Sequence, residues 1–112
     1  MQQVIIMNFL FETGRTGFMS DFRILDEVYN VVTDRKQNPR EGSYTNYLFD
    51  KGIDKICKKI GEEASEVIIA AKNNSREELR YEIADLIYHL TVLMVNQGLT
   101  WDDICEELLK RR

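Results

Sequence analysis

Residues 53–97 of the chain read IDKICKKIGEEASEVIIAAKNNSREELRYEIADLIYHLTVLMVNQ, and this stretch decides the fold. Apolar residues recur through it every three to four positions, the spacing that puts them on one face of a helix. Asn73 and Asn74 interrupt the pattern, and Ser75 with Glu78 forms a capping box that starts a second helix. The stretch therefore predicts two long amphipathic helices joined by a short turn. Their apolar stripes are Ile56, Ile60, Ala64, Val67 and Ala71, then Leu79, Ile83, Leu86, Leu90 and Leu93.

Three further helices are predicted, two before this pair and one after it. One begins with Asp21 as its N-cap and ends in the loop around Pro39. A short helix over residues 44–51 is capped by Ser43 and closed by Gly52, and a last helix opens at Thr100. Because no segment alternates like a strand, apart from the N-terminal run, we expect an all-α bundle of four to five helices. We divide the chain into an N-terminal extension at residues 1–20 and a single all-α domain at residues 21–112.

The second long helix carries an additional apolar face, formed by Ala84, Tyr88, Val92 and Val95. A helix that is apolar on two sides is buried on two sides. Since the pattern contains only two long helices, we expect a second subunit to cover this face. The predicted assembly is a homodimer whose four-helix core is completed by dimerisation.

Composition and charge exclude several function classes. The chain of 112 residues has 15 basic and 19 acidic groups, and 11 of the acidic groups fall in residues 62–112. Such an acidic half offers no basic surface for nucleic acid. The apolar run at residues 4–11 is too short to span a bilayer and lacks the flanking residues of a signal peptide. We expect a cytoplasmic protein, with Cys57 and Cys105 as small core residues in a reducing compartment.

Acidic residues border the apolar stripes of both long helices. Glu63 and Glu66 lie one turn apart beside the first stripe, and Glu82 and Asp85 lie beside the second. Like charges at this spacing repel. If the helices pack antiparallel through their stripes, the four carboxylates face one small volume that a hard divalent cation would neutralise. Carboxylate oxygens without cysteine suit Mg²⁺, or Mn²⁺ in its place, and not zinc.

Each of these residues also has a structural interpretation. Acidic residues on helices commonly form a solvated face, and Lys59 with Glu63 has the spacing of an ordinary i,i+4 ion pair. Solvated charge is expected opposite an apolar stripe, however, whereas these residues lie beside it. His89 continues the line of Glu82 and Asp85, so contact with a substrate, support of a ligand and a hydrogen-bonded structural role all stay open.

Divalent cations held by carboxylates predict a phosphate-containing substrate, such as a nucleotide triphosphate, because such ions stabilise phosphate charge and activate water. Basic side chains near the carboxylates would then hold the phosphates. Lys59 is the best placed because it lies on the Glu63 side of its helix, and Lys55 lies one turn earlier.

Several separated motifs resemble a known group of enzymes. Glu62-Glu63-Ala64-Ser65-Glu66, followed after fifteen residues by Glu82-Ile83-Ala84-Asp85, is similar to the EExxE and ExxD motifs of the all-α NTP pyrophosphatases, the MazG-like superfamily. The segments SYT at 43–45, KICKKIGEEA at 55–64 and ADLIYHL at 84–90 resemble the phosphoribosyl-ATP pyrophosphohydrolase family. This resemblance covers about residues 22–112.

The resemblance implies hydrolysis of phosphoribosyl-ATP between its α- and β-phosphates, giving phosphoribosyl-AMP and pyrophosphate, with Mg²⁺ required. This reaction is the second step of histidine biosynthesis. The resemblance makes Glu63, Glu66, Glu82 and Asp85 metal ligands and Glu62 a further ligand, a water-orienting group or a base. The candidate substrate-binding residues are Lys59, Lys55, Ser43, Tyr44, Thr45 and His89, although capping a helix is a sufficient role for Ser43.

Two other functions stay open. A house-cleaning pyrophosphatase for dUTP or modified nucleotides would share the metal site and differ in its base pocket. A non-catalytic helical dimerisation module would carry the same acidic residues only as surface. Stabilisation by Mg²⁺ that is lost in Glu82→Gln would separate the enzymes from the module.

Overall fold

The computed structural model describes residues 21–112, and the predicted N-terminal extension at residues 1–20 lies outside them. Five helices and no strand make up this described part of the chain. In chain order they are α1 (Arg23–Gln37), α2 (Tyr44–Lys51), α3 (Ile53–Lys72), α4 (Arg76–Gln97) and α5 (Trp101–Arg111). The all-α prediction is confirmed. Across residues 21–112, none of the helices has both the length and the apolar character needed to cross a lipid bilayer.

Most helix ends follow the predicted signals. The Ser43 hydroxyl accepts a hydrogen bond from the Asn46 amide at 3.2 Å, and the Ser75 hydroxyl accepts one from the Glu78 amide at the same distance. Thr100 and Asp103 form a complete capping box at the start of α5. Gly52, with φ of 91°, separates α2 from α3 and adopts a conformation that favours glycine.

The predicted N-cap of the first helix differs by one residue from the observed capping position. Helix α1 begins one residue later than expected, with Phe22 at the capping position and no side-chain cap. The Asp21 carboxylate instead pairs with the Arg23 guanidinium at 2.7 Å and accepts from the Arg23 amide at 3.0 Å. The Asp21 carboxylate therefore accepts from an amide of the first turn while it also pairs with the Arg23 side chain.

The core lies where α1, α2 and the antiparallel pair α3 and α4 meet. Its fully buried members are Val32 from α1, Leu48 from α2, Ile56 from α3 and Val92 from α4. Ile56 is near the start of α3 and Val92 is near the end of α4, so the core occupies one end of the pair. At this end the helices are fixed relative to one another by apolar packing.

The prediction that a second subunit covers the additional apolar face of α4 is wrong for Val92 and Val95. Val92 and Val95 are 0% and 9% exposed within a single chain, and Tyr88 packs against the same cluster. Helices α1 and α2 cover this face, although they are shorter than the two long helices. The second subunit is therefore not needed to bury Val92 and Val95.

The other end of the α3–α4 pair is less covered than its apolar pattern predicts. Ile83, a member of the main stripe of α4, is 42% exposed, and Ala71 of the α3 stripe is exposed while Ala70 is buried.

Cys57 and Cys105 are exposed, which overturns the prediction that they are core residues. Cys57 follows the buried Ile56 directly, and successive residues point about 100° apart on a helix.

Candidate active site

Helices α3 and α4 bring the four predicted carboxylates together. One oxygen each of Glu63, Glu66 and Glu82 lies within 4.8 Å of the other two. A ligand atom each of Glu63, Asp85 and His89 forms a second group of the same size. Glu63 belongs to both groups, so it lies at the centre of a carboxylate cluster, which we define as Glu63, Glu66, Glu82 and Asp85.

The cluster is electrostatically unfavourable as it stands. Glu63 is 5% exposed, and within residues 21–112 its Oε1 atom and that of Glu82 are buried with no hydrogen-bond partner. Burial and the neighbouring Asp85 carboxylate raise the pKa of Glu63 to about 8. Burial and the Glu66 carboxylate raise the pKa of Glu82. These side chains therefore lack a positive partner inside the described chain.

A hard divalent cation fits this arrangement. The available donors are carboxylate oxygens from two helices, and two of those oxygens are buried without a partner. Oxygen-only sites of this kind suit Mg²⁺ or Mn²⁺. A bound cation would satisfy both orphaned oxygens and stabilise the ionised form of Glu63.

His89 approaches the cluster but has no free ring nitrogen for a metal. Its Nδ1 atom is 2.8 Å from the Asp85 carbonyl oxygen, so this nitrogen carries the proton and donates it. Its Nε2 atom then accepts from the Tyr44 hydroxyl at 2.9 Å. The imidazole is 2% exposed, so any effect of His89 on a substrate would pass through Tyr44 or Asp85.

Lys59 lies beside the cluster and pairs with the neighbouring Glu62. The Lys59 Nζ atom is 3.3 Å from Glu62 Oε1, and this hydrogen bond raises the pKa of the ammonium group. The i,i+4 pair with Glu63 that the sequence allowed is replaced by this i,i+3 pair. Glu62 is half-exposed and belongs to neither carboxylate group, unlike the other four acidic residues predicted for the site.

The three residues before and within the first turn of α2 differ in accessibility. The Ser43 hydroxyl caps the helix, and the buried Thr45 hydroxyl is hydrogen bonded to the Tyr88 hydroxyl. Only Tyr44 presents a large surface, with 43% of its area exposed. Burial raises the pKa of its phenol further above neutral pH, so the hydroxyl keeps its proton and can donate it to His89.

Sequence reasoning missed Tyr47 and the local role of Tyr88. The Tyr44 ring stacks against both, with centroid distances of 6.0 Å to Tyr47 and 6.4 Å to Tyr88. The Lys55 ammonium group lies 5.9 Å from the centre of the Tyr47 ring. The three-residue spacing of Tyr44 and Tyr47 on a predicted helix could have revealed the first pair, because residues three apart are neighbours.

Comparison with known proteins agrees with this arrangement. Residues 25–112 match the family described as Phosphoribosyl-ATP pyrophosphohydrolase. The chain is 66% identical over 87 residues to a phosphoribosyl-ATP pyrophosphatase of Limosilactobacillus fermentum, covering 78% of this chain and 82% of the relative. A phosphoribosyl-ATP pyrophosphatase of Clostridium novyi is 55% identical over 94 residues, covering 84% of this chain and 86% of the relative.

A longer relative matches over part of its length. The histidine biosynthesis bifunctional protein HisIE of Thermoanaerobacter pseudethanolicus is 64% identical over 98 residues, which cover 88% of this chain and 45% of that protein. The family match spans α1 to α5 and includes every residue of the carboxylate cluster. The chain therefore belongs to the phosphoribosyl-ATP pyrophosphohydrolase family.

Proposed function

We propose that this chain hydrolyses phosphoribosyl-ATP between its α- and β-phosphates, giving phosphoribosyl-AMP and pyrophosphate in the histidine pathway, and that it acts in the cytoplasm. The observation that carries the proposal is the convergence of four carboxylates in a chain whose relatives bear the name of this activity. Hydrolysis of a phosphoanhydride requires stabilisation of negative charge and a positioned water, and the site offers groups for both.

The cofactor of this reaction is Mg²⁺, with Mn²⁺ as a substitute, held by Glu63, Glu66, Glu82 and Asp85. The two buried oxygens without partners support this assignment. When bound, such an ion supplies positive charge to the phosphates and makes water more acidic.

The protein side chains around the cluster have distinct roles in this scheme. The Lys59 ammonium group, held at 3.3 Å from Glu62, faces a phosphate and offsets its charge. Glu62 is an exposed carboxylate of the motif and is available to orient water or to accept its proton. Tyr44 lines the substrate side of the site, while Ser43 and Thr45 hold the first turn of α2 that carries it.

Release of pyrophosphate tests the reaction directly. With Mg²⁺ present, we expect strong preference for phosphoribosyl-ATP over ATP, dUTP and dCTP, and loss of the activity in Glu82→Gln. Glu106→Gln is a matched control because Glu106 is an exposed acid on α5. Turnover of the free nucleotides alone would move the protein to the house-cleaning branch of the superfamily. No release from any substrate would contradict the enzyme assignment.

The functional unit in this proposal is a homodimer formed through the uncovered end of the α3–α4 pair. Ile68, Ile69, Tyr81 and Ile83 are each at least 42% exposed there, and we call these residues the hairpin patch. Large exposed apolar side chains near one end of a helix pair are typical of a surface that contacts another protein. A second copy is the occupant that suits a patch lying on the two helices of the catalytic site.

The oligomeric state tests the hairpin patch. We expect wild type to sediment as a dimer and Ile83→Asp as a monomer, because a buried unpaired charge opposes association. Leu109→Asp is the control, since Leu109 is 61% exposed on α5, outside the hairpin patch. Dissociation by the control and not by Ile83→Asp would contradict this interface, as would a monomeric wild type.

A further inference from the structure

Two lysine side chains converge on the ring of Tyr47. The Nζ atoms of Lys51 and Lys55 lie 5.8 Å and 5.9 Å from the centre of the ring, within the range of a cation–π interaction. Among residues 21–112, neither lysine forms an ion pair with a carboxylate. Asp50 and Asp54 each precede one of these lysines by one position, and adjacent helical residues do not face each other.

This arrangement favours an anion. Two ammonium groups attracted to one ring concentrate positive charge around it, and an anion bound beside the ring would be attracted to both. Phosphate oxygens are strong acceptors for lysine and form charge-assisted hydrogen bonds with it. Tyr47 is 42% exposed, Lys51 is exposed and Lys55 is partly exposed, so an anion can approach them from solvent.

The lysine pair is connected to the carboxylate cluster but separate from it. Tyr47 stacks at 6.0 Å and 23° against Tyr44, whose hydroxyl is bonded to His89 beside Asp85. Along α3, Lys55 precedes Glu63 by eight residues, about 12 Å at the rise of an α-helix. A ligand with negative charge at both ends could therefore occupy the two places together.

We propose that Lys51 and Lys55, supported by Tyr47, form a second anion site that binds the ribose 5-phosphate group of the substrate. The inference rests on the proposed function. Phosphoribosyl-ATP differs from ATP by a ribose 5-phosphate on the adenine ring, at the far side of the base from the triphosphate. In this arrangement a cation held by the carboxylate cluster would bind the triphosphate. Lys51 and Lys55 would bind the ribose 5-phosphate group, which ATP lacks. This site makes the lysines and Tyr47 determinants of substrate specificity.

The test compares phosphoribosyl-ATP with ATP as substrates of Lys51→Gln, Lys55→Gln and Tyr47→Leu. We expect kcat/KM for phosphoribosyl-ATP to fall about tenfold in each lysine variant, mainly through KM, because a charge-assisted contact is lost. In Tyr47→Leu the fall has the same direction and is smaller, because only the cation–π support of the lysines is lost. The corresponding value for ATP changes much less, so the preference between the two substrates narrows. Lys36→Gln is the matched control, since Lys36 lies 5.6 Å from the centre of the Phe49 ring and leaves the lysine pair intact.

Each other outcome overturns the inference. An equal fall for both substrates would mean that the lysines bind the triphosphate, and an unchanged preference would mean that they bind no substrate phosphate. If wild type releases no pyrophosphate from phosphoribosyl-ATP, the proposed function fails independently of this site. Binding of ribose 5-phosphate, followed by the NMR signals of the Tyr47 ring, then decides whether the lysine pair holds a phosphate. If ribose 5-phosphate does not bind to wild type, or binds equally well to Lys55→Gln, the proposed anion site is wrong.

Discussion

Two positions on each long helix, seven residues apart, show that one helix face carries an apolar side chain at one level and a carboxylate at another, although Asp85 is only partly buried. Ile56 and Glu63 are seven residues apart on α3, which puts them on the same face two turns apart, and they are 0% and 5% exposed. Val92 and Asp85 have the same spacing on α4. At one level the paired helices present apolar side chains, and two turns away the same face presents carboxylates.

Burial stabilises the protein at the apolar level of the helix pair and opposes folding at the carboxylate level. Ile56 and Val92 stabilise the fold because burial removes apolar surface from water. Glu63 is buried to nearly the same extent, but its Oε1 atom has no partner among the described residues. Burying a polar group without a partner opposes folding. Helix packing thus sets the burial at both levels, and side-chain chemistry decides whether that burial stabilises the protein or prepares a binding site.

The largest expected effect concerns Glu63 in the metal-free protein. Its pKa of about 8 in the folded state lies above the ordinary value of 4.5. Between these values the unfolded chain is ionised while folded Glu63 holds its proton, so stability falls as the pH rises through this interval. We expect Glu63→Gln to flatten that fall and to raise the free energy of unfolding at pH 8 by roughly 1–3 kcal/mol. Urea unfolding with a chelator across this pH range measures both effects.

Two features make this measurement decisive. Glu106→Gln should retain the wild-type pH dependence, because Glu106 is exposed. Well above pH 8 the difference in the free energy of unfolding between wild type and Glu63→Gln should become constant, since Glu63 is then ionised in both states. If Glu63→Gln were less stable than wild type without metal, the carboxylate of Glu63 would itself stabilise the fold. That result would contradict the proposed difference between the two levels of the helix pair.

A smaller effect is expected at the helix caps, which distinguish structural from substrate-facing hydroxyls. Ser43 and Ser75 accept equivalent hydrogen bonds of 3.2 Å from the amide three residues on. Replacing either by alanine should lower the free energy of unfolding by about 1 kcal/mol. If Ser43 also lies against the substrate, only Ser43→Ala raises KM for phosphoribosyl-ATP. Equal KM values for the two variants would leave Ser43 as a cap alone.

Much of the fold could be predicted from local signals. The ends of α2, α3 and α4 follow from Ser43, Gly52 and the Asn73–Asn74 interruption, because caps and turns depend on neighbouring residues alone. The environment of α4 could not be predicted in this way. Whether Val92 or Ile83 is covered depends on the position of α1, and helical periodicity identifies apolar faces without identifying their partners. The same limit explains the exposure of Cys57.

The site was predictable in its acidic residues and less so around them. The spacing of Glu63, Glu66, Glu82 and Asp85 puts them on facing sides of consecutive helices, so their proximity follows from an antiparallel pair. The contacts of His89 with Tyr44 and of Thr45 with Tyr88 join α4 to α2, across more than 40 residues of sequence. Only the tertiary structure reveals which hydroxyl meets which partner.

We propose that the carboxylate cluster on α3 and α4 is a cation site. Thermal unfolding of wild type, Glu63→Gln and Glu82→Gln, each with and without Mg²⁺, tests it most directly. We predict that Mg²⁺ stabilises wild type by about 2.7 kcal/mol at a hundred times its dissociation constant, and that both variants lose most of this response. A wild-type protein indifferent to Mg²⁺ and Mn²⁺, or variants that respond as strongly as wild type, would contradict the account.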